Sequence, residues 1–265
     1  MLIVGELINS SRKKIAKAVR EKDADHISKI ARDQAEAGAS YIDVNAGIFE
    51  EKEGEYLAWL VETVQQAVDL PCCIDSPNPR AIEAALRVHQ GTPLLNSISL
   101  EQDRFDAVLP FVRGTDNRVI ALAIGEAGMP TGAEDRIANA RKLLGRLQEH
   151  SIPQENIFVD LLAEPISSNS RVGMFFLDAL AAISGEFPDV HKICGVSNSS
   201  YGLPRRKRIN QVFVVMGIAN GLDSCIANPL DSKLMGDIVA AETLAGRDEY
   251  CERYLNAYRD GLLSQ

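Results

Sequence analysis

A (β/α)8 barrel is the fold class the sequence predicts, and three features predict it. Eight short apolar runs alternate with eight or more helical segments along 265 residues, the count and length of eight strand–helix units. Strand–helix alternation implies a parallel sheet with helices outside it. The segments after the strands are polar all along the chain, which fits a ring of loops at one end of a barrel. A doubly wound open sheet is the alternative, but no G-x-G-x-x-G follows the first strand, and polar loops would then be expected at one switch point only. No composition shift marks a boundary, so residues 1–265 read as a single domain.

Taken in order, Leu2 to Val4 is the first strand, ending at Gly5-Glu6 with Asn9 close behind. Ser10 and Ser11 offer caps for a helical pattern from about Arg12 to Ala37, with a break near Asp23. Tyr41 to Val44 is the second strand, ending in Asp43-Val44-Asn45-Ala46-Gly47; Leu57, Leu60, Val61, Val64 and Val68 give the next helix its apolar face. Cys72 to Ile74 is the third strand, ending in Asp75-Ser76. Asn78 caps the helix Pro79 to Val88, with Pro79 at the first helical position. Leu94-Leu95 ends in Asn96-Ser97, before a helix from about Asp103 to Val112. Val119 to Ile124 is the fifth strand, followed by the helix Ala133 to His150. Ile157 to Val159 ends in Asp160, with the helix Val172 to Ser184 beyond a long loop. Lys192 to Val196 is the seventh strand, with Asn198 just past its end and a helix from Arg208 to Ala219. Leu222 to Ala227 ends at Asn228, Asp231 caps the helix to Leu244, and a last helix runs from Glu249 to about Leu262.

Composition narrows the function. The apolar share is 46% and the net charge −9, so a core can form but the basic footprint of a nucleic-acid-binding protein is missing. The dense basic run is Arg205-Arg206-Lys207-Arg208, kept for a local anionic contact. The five cysteines include no C-x-x-C pair, so neither zinc nor a redox pair is signalled, and reduced thiols in a cytoplasmic protein are expected. No apolar run approaches the ~18 residues of a membrane span, and the N-terminus enters a strand without a signal-peptide pattern.

The active end of a barrel lies at the C-terminal ends of its strands. Those ends carry Glu6, Asn9, Asp43, Asn45, Asp75, Asn96, Asp160, Asn198 and Asn228. Asp and Asn also cap helices, a reading that stays open for Asp43, Asn45 and Asn228. Asp75 has Asn78 as a better cap beside it, and Asn96 stands several residues ahead of its helix. Buried carboxylates need donors. With few cations at strand ends, those donors are expected from a ligand, and a heterocycle with an exocyclic amine and neighbouring N–H groups fits. His26, His89, His150 and His191 fall away from strand ends and read as surface residues. Lys192 starts its strand at the wrong end for a Schiff base.

Gly5-Glu6 with Ile8-Asn9, Asp43-Val44-Asn45-Ala46-Gly47, Asp75-Ser76, Leu95-Asn96-Ser97, Asp160, and Gly195-Val196-Ser197-Asn198 with Arg206 and Ile209-Asn210 together resemble the pterin-binding methyltransferase family. The likeness is greatest to the methyltetrahydrofolate:corrinoid/iron-sulfur protein methyltransferases and to the folate domain of cobalamin-dependent methionine synthase. It covers essentially the whole chain. The resemblance implies that Asp75, Asn96 and Asp160 hold the pterin ring of tetrahydrofolate or methyltetrahydrofolate. It implies that Asn198 reaches the N-5 nitrogen, and that Glu6, Ser197 and Ile226 line the pocket. Asn198 is the one catalytic candidate. Arg206 is a possible contact for the folate tail or a partner.

The reaction so implied moves a methyl group between N-5 of tetrahydrofolate and the cobalt of a corrinoid, in a direction the sequence leaves open. No Asp-x-His-x-x-Gly signature occurs, so the corrinoid (cobalamin) is expected on a partner protein, with no bound metal in this chain, no nucleic acid and no membrane. A homodimer is expected by resemblance. The alternatives are a dihydropteroate-synthase-like enzyme, a non-catalytic folate-binding barrel, and a metal-dependent barrel hydrolase.

Overall fold

The computed structural model of the protein describes residues 1–263; residues 264 and 265 of the expected single domain lie outside that range. The strands are β1 (Leu2–Asn9), β2 (Tyr41–Asn45), β3 (Cys72–Asp75), β4 (Leu94–Ile98), β5 (Arg118–Leu122), β6 (Ile157–Asp160), β7 (His191–Ile193) and β8 (Ser224–Ala227). The helices are α1 (Lys13–Glu21), α2 (Ala24–Glu36), α3 (Glu53–Ala67), α4 (Pro79–Leu86), α5 (Gln102–Val112), α6 (Ala133–Glu149), α7 (Val172–Glu186), α8 (Val196–Ser199), α9 (Arg206–Ala219), α10 (Ser232–Leu244) and α11 (Glu252–Arg259).

All neighbouring strands are parallel, in the order β7-β6-β5-β4-β3-β2-β1-β8. The last gap is closed where Ile226 N–H donates to the Cys194 carbonyl at 2.9 Å and Gly195 pairs with Ile226. The predicted (β/α)8 barrel is therefore what the chain forms, and no helix among the described residues is long and apolar enough to cross a membrane.

Side chains alternate across each strand, and this alternation builds the barrel in layers. Val4, Tyr41, Cys73, Leu94, Ile120, Phe158 and Ile193 fill the interior as one buried apolar plug. Two residues further along the same faces stand Glu6, Asp43, Asp75, Asn96 and Asp160. The polar layer thus lies directly on the apolar one. The opposite faces, with Ile42, Val44, Ile74, Leu95, Val119 and Val159, pack against the helices in the larger core.

Several expectations about elements need correction. The first strand runs to Asn9, because a register shift between Gly5 and Ile8 lets it continue beside β2. Glu6 is therefore a residue within the strand. Ser10 and Ser11 do not cap α1, whose first turn has Arg12 at its cap without a side-chain bond; Ser10 instead donates to Asn45 Oδ1 at 2.9 Å. The break near Asp23 is real: Lys22 takes a left-handed conformation (φ 51°) and Asp23 caps α2 by accepting the His26 N–H. Strand β7 stops at Ile193, and residues 196–199 wind into the single helical turn α8. Asn198 thus sits on a helical turn. Strand β8 starts at Ser224, α9 starts at Arg206, and the last helix is a 3-10 turn followed by α11. His89 and His191 are not simple surface residues. His89 Nε2 accepts the Cys72 N–H at 3.0 Å, and His191 opens β7 stacked on Phe158 at 4.5 Å.

Candidate active site

The polar layer opens into a cavity of about 220 Å³ at the C-terminal ends of the strands, walled by Glu6, Asp43, Asp75, Asn96, Ser197 and Asn198. Ile226 and Gly195 complete the wall on the β7–β8 side. That volume is below the 300–1,000 Å³ of sites for drug-sized ligands and suits one bicyclic ring.

Each wall residue is held by its own local structure. Asp75 ends β3, and the turn after it is braced by the buried Glu53 of α3, which accepts from Ser76 Oγ (2.6 Å) and Asn78 Nδ2 (3.1 Å). Asn78 also caps α4 through the Arg80 N–H, so Asp75 is released from capping, as the sequence implied. Asn45 is neither a helix cap nor a cavity residue, the two readings the sequence left open. Its Oδ1 accepts the Gly47 N–H two residues on, and its Nδ2 donates to the Asp75 carboxylate at 3.0 Å and the Asp75 carbonyl at 3.2 Å. It supports the wall without lining it. Asn228 accepts the Leu230 N–H and lines a neighbouring cavity; its role here is to make the turn.

Turn α8 carries Ser197 and Asn198 and is tied down from two sides. Ser197 Oγ donates to both oxygens of Glu6 at 2.9 and 3.1 Å, and Arg12 Nη2 donates to the same carboxylate at 3.1 Å. Arg206 Nη2 donates to the Ser197 carbonyl at 2.6 Å and Arg206 Nε to Ser200 Oγ at 3.1 Å. Gly195 leaves room for the Asn198 amide: a Cβ there would lie 2.8 Å from Asn198 Nδ2 and displace it.

Asp160 is the exception to convergence. It is on the same inward face as Phe158 and buried, but it does not form part of the cavity wall. The reason is local: its Oδ1 is clamped by the Leu162 N–H at 2.7 Å, with Leu162 at φ 66°.

The electrostatics are those of buried acids with few cations. Burial pushes Asp160 up to about 7, against the opposing Leu162 hydrogen bond. Burial likewise pushes Asp75 up to about 6, although the Asn45 hydrogen bond and the charge of Arg104 pull the other way. Asp43 is raised well above the carboxylate range by burial first and then by the charges of Asp75 and Glu6, despite a hydrogen bond from the Cys73 thiol. Its Oδ1 is buried and has no hydrogen-bond partner.

The expectation that all donors come from a ligand is corrected in part. Arg12, Asn45, Ser197 and the Leu162 N–H already serve these carboxylates, and Arg104 reaches in from α5. Arg104 Nη2 donates to the Ser76 carbonyl at 3.0 Å while Nη1 is buried without a partner. Sequence reasoning missed Arg12 and Arg104 because neither sits at a strand end. Both come from a helix start, where an arginine in sequence looks like any solvated one. What remains unserved is concentrated on Asp43, Asp75 and Asp160, acids that need N–H donors side by side.

Comparison with known proteins agrees with this chemistry. The family described as pterin binding enzyme matches residues 5–228. The chain is 35% identical over 263 residues to the methylcorrinoid:tetrahydrofolate methyltransferase of Eubacterium limosum, covering 98% of this chain and 97% of that one. It is 26% identical over 241 residues to the methionine synthase of Mycobacterium tuberculosis, covering 86% of this chain and 20% of that much longer protein. Among solved structures it resembles a dihydropteroate synthase of Coxiella burnetii in complex with pteroic acid, with a TM-score of 0.68 at 14% identity over 82% of this chain and 84% of that one. The Yersinia pestis dihydropteroate synthase also gives 0.68, at 16% identity over 92% and 93%. At that identity the likeness speaks for the fold alone.

Proposed function

The chain belongs to the pterin-binding enzyme family, and from that premise we propose that it transfers a methyl group from a methylated corrinoid, carried by a partner protein, to N-5 of tetrahydrofolate. The observation that carries this reading is the end-to-end match, at 35% identity, to a methylcorrinoid:tetrahydrofolate methyltransferase. The relative's name supports this direction over the reverse one.

The pocket supports the reading in its chemistry. A pterin ring brings an exocyclic amine and an adjacent ring N–H, two donors that a carboxylate takes side by side. The reading gives Asp75, Asn96 and Asp160 to the ring; Asp75 and Asn96 line the cavity, and Asp160 lies outside its wall. Glu6, Ser197 and Ile226 shape the remaining wall. Arg206 stands on the neighbouring cavity and fixes the Ser197 carbonyl, so its part in binding is to hold α8 and to face the folate tail.

The corrinoid substrate supplies an electrophilic methyl on cobalt. The nitrogen that takes the methyl gains positive charge as the bond forms. As the N-5–methyl bond forms, the cobalt–carbon bond breaks with its electron pair left on Co(I); the Asn198 side-chain carbonyl, on the cavity wall, accepts from the N-5 N–H and stabilises the positive charge until that proton is released to solvent. A contact that strengthens in the transition state raises the rate beyond what binding alone gives.

For assembly we propose a homodimer. Val212, Val215, Met216 and Leu244 are exposed on α9 and α10 beside a groove between α7, α9 and α10, and an apolar patch of this kind fits a second copy. Four cysteines are buried and unpaired, which supports a reducing compartment such as the cytoplasm.

The test is stopped-flow mixing of the protein and tetrahydrofolate with a methylated corrinoid protein while the cobalt spectrum is followed. Appearance of the Co(I) spectrum together with methyltetrahydrofolate supports the reading. Tight tetrahydrofolate binding with no spectral change would leave only the non-catalytic folate-binding barrel.

A further inference from the structure

Arg12 and Arg104 both bring a cation to the acidic end of the barrel, by different means. Arg12 is in contact, with Nη2 donating to Glu6 at 3.1 Å. Arg104, in the first turn of α5, pairs directly with no carboxylate among the described residues. Its guanidinium makes one hydrogen bond, from Nη2 to the Ser76 carbonyl at 3.0 Å, while Nη1 is buried without a partner. The turn does not need that bond. The Ser76 N–H already donates to the Asn96 carbonyl at 3.2 Å, Ser76 Oγ donates to Glu53 at 2.6 Å, and the Asn78 N–H donates to Ser76 Oγ at 3.0 Å. A partly buried cation is a costly way to add one more. Burial works against its charge, and what favours that charge is the acids around it, Asp75 first and then Glu101 and Glu53.

The ring pocket gathers like charges. Glu6 on β1, Asp43 on β2 and Asp75 on β3 share its wall. Glu53 of α3 stands behind the turn after Asp75, and the Cys73 thiol is bonded to Asp43. Strand β4 and turn α8 bring only the uncharged Asn96, Ser197 and Asn198 to that wall. Acids so close favour each other's protonation, and a protonated carboxyl no longer takes two N–H donors side by side. Burial works against an ionised Asp75; the Asn45 hydrogen bond and then the charge of Arg104 work for it. A cation bonded to Asp75 would compete with a ligand for its oxygens. Arg104 acts through space instead. Among the described residues the Asp75 carboxylate accepts one side-chain bond, from Asn45 Nδ2 to Oδ2 at 3.0 Å, and Oδ1 is left free of protein side chains.

We propose that Arg104 is a positioning residue for the ring: anchored on the Ser76 carbonyl, its guanidinium holds Asp75 in the form that accepts N–H donors without competing for its oxygens, and so sets how far into acid the pocket still binds tetrahydrofolate. This inference rests on the folate reading of the ring pocket, and it adds a residue outside the cavity wall that keeps the pocket receptive.

The test is calorimetric titration with tetrahydrofolate from pH 5.5 to 8.5 on the wild-type protein, Arg104→Gln and Arg104→Lys, with melting temperatures recorded alongside. Arg104→Gln keeps a donor for the Ser76 carbonyl and loses the charge. It should bind within about twofold of the wild type at pH 8.5 and about fivefold more weakly than the wild type at pH 6. Arg104→Lys keeps the charge and should follow the wild-type pH profile. A loss in Arg104→Gln that is the same at every pH would make Arg104 a merely structural residue and overturn the proposal, as would no loss at any pH. Where Arg104→Gln does not fold, Arg104→Lys decides: a wild-type profile supports the proposal, and a shifted or uniformly weakened one overturns it. Each of these outcomes leaves the folate reading standing. Failure of the wild-type protein to bind tetrahydrofolate at any pH would overturn the folate reading, and this inference with it.

Discussion

Asp160 and Asp75 set how this protein responds to pH. Both are pushed up, to about 7 and about 6, by burial, so between roughly pH 4 and 7 the empty folded protein holds more protons than the unfolded chain. Stability contributed by the neutral carboxyls is present at low pH and is lost as pH rises through 6 to 7. The ligand reverses the preference, since ring N–H donors favour ionised acids. Tetrahydrofolate affinity should therefore fall below pH 7, by up to about tenfold per pH unit for each of the two acids that must ionise. Calorimetry in buffers of different ionisation enthalpy should register proton release on binding at pH 6; an affinity flat from pH 5 to 8 would exclude this picture. At Asn198 the effect should be kinetic. Asn198→Ala is expected to lower methyl transfer on the order of 10²-fold while the tetrahydrofolate dissociation constant moves by no more than about threefold. Equal losses in rate and binding would leave Asn198 as an ordinary binding residue.

The element that matters most is the single turn α8, and the sequence only half disclosed it. The Gly-Val-Ser-Asn order announced a functional loop. That the segment is helical, and that Glu6 of β1 and Arg206 of α9 bolt it in place, depends on contacts across as many as 191 residues of sequence. Gly195→Ala should drive Asn198 off its position, given the 2.8 Å approach, and should reduce transfer while the melting temperature changes little; full activity would show that the turn tolerates displacement. A second element prediction concerns the α1–α2 break. Lys22 is held left-handed at φ 51°, a conformation that costs an L-residue about 1–2 kcal/mol. Its ion pair with Glu55 is on the surface, where solvent screens it and it offsets little of that cost. Lys22→Gly should thus be neutral to stabilising by up to about 1 kcal/mol in denaturant unfolding.

At the scale of the whole molecule, the barrel was legible because its signals are local and repeated: eight apolar runs, each ending in a polar residue. The inward pairing of Asp43, Asp75 and Asn96 over an apolar plug follows from period-two alternation, which the sequence displays. The arginines were not legible. Arg12 and Arg104 reach the site from helix starts, and Asp160 sits apart from the cavity wall because a backbone N–H two residues on holds it, a detail no spacing encodes. One continuous core joins the strands to the surrounding helices, so we expect one cooperative thermal transition; two resolved transitions in calorimetry would contradict a single domain. The measurement that tests the central claim most directly is a single-turnover mix of the protein, tetrahydrofolate and a methylated corrinoid protein. The account predicts one equivalent of methyltetrahydrofolate formed at the rate at which the Co(I) spectrum appears. No methyltetrahydrofolate, with tetrahydrofolate shown to be bound, would contradict it.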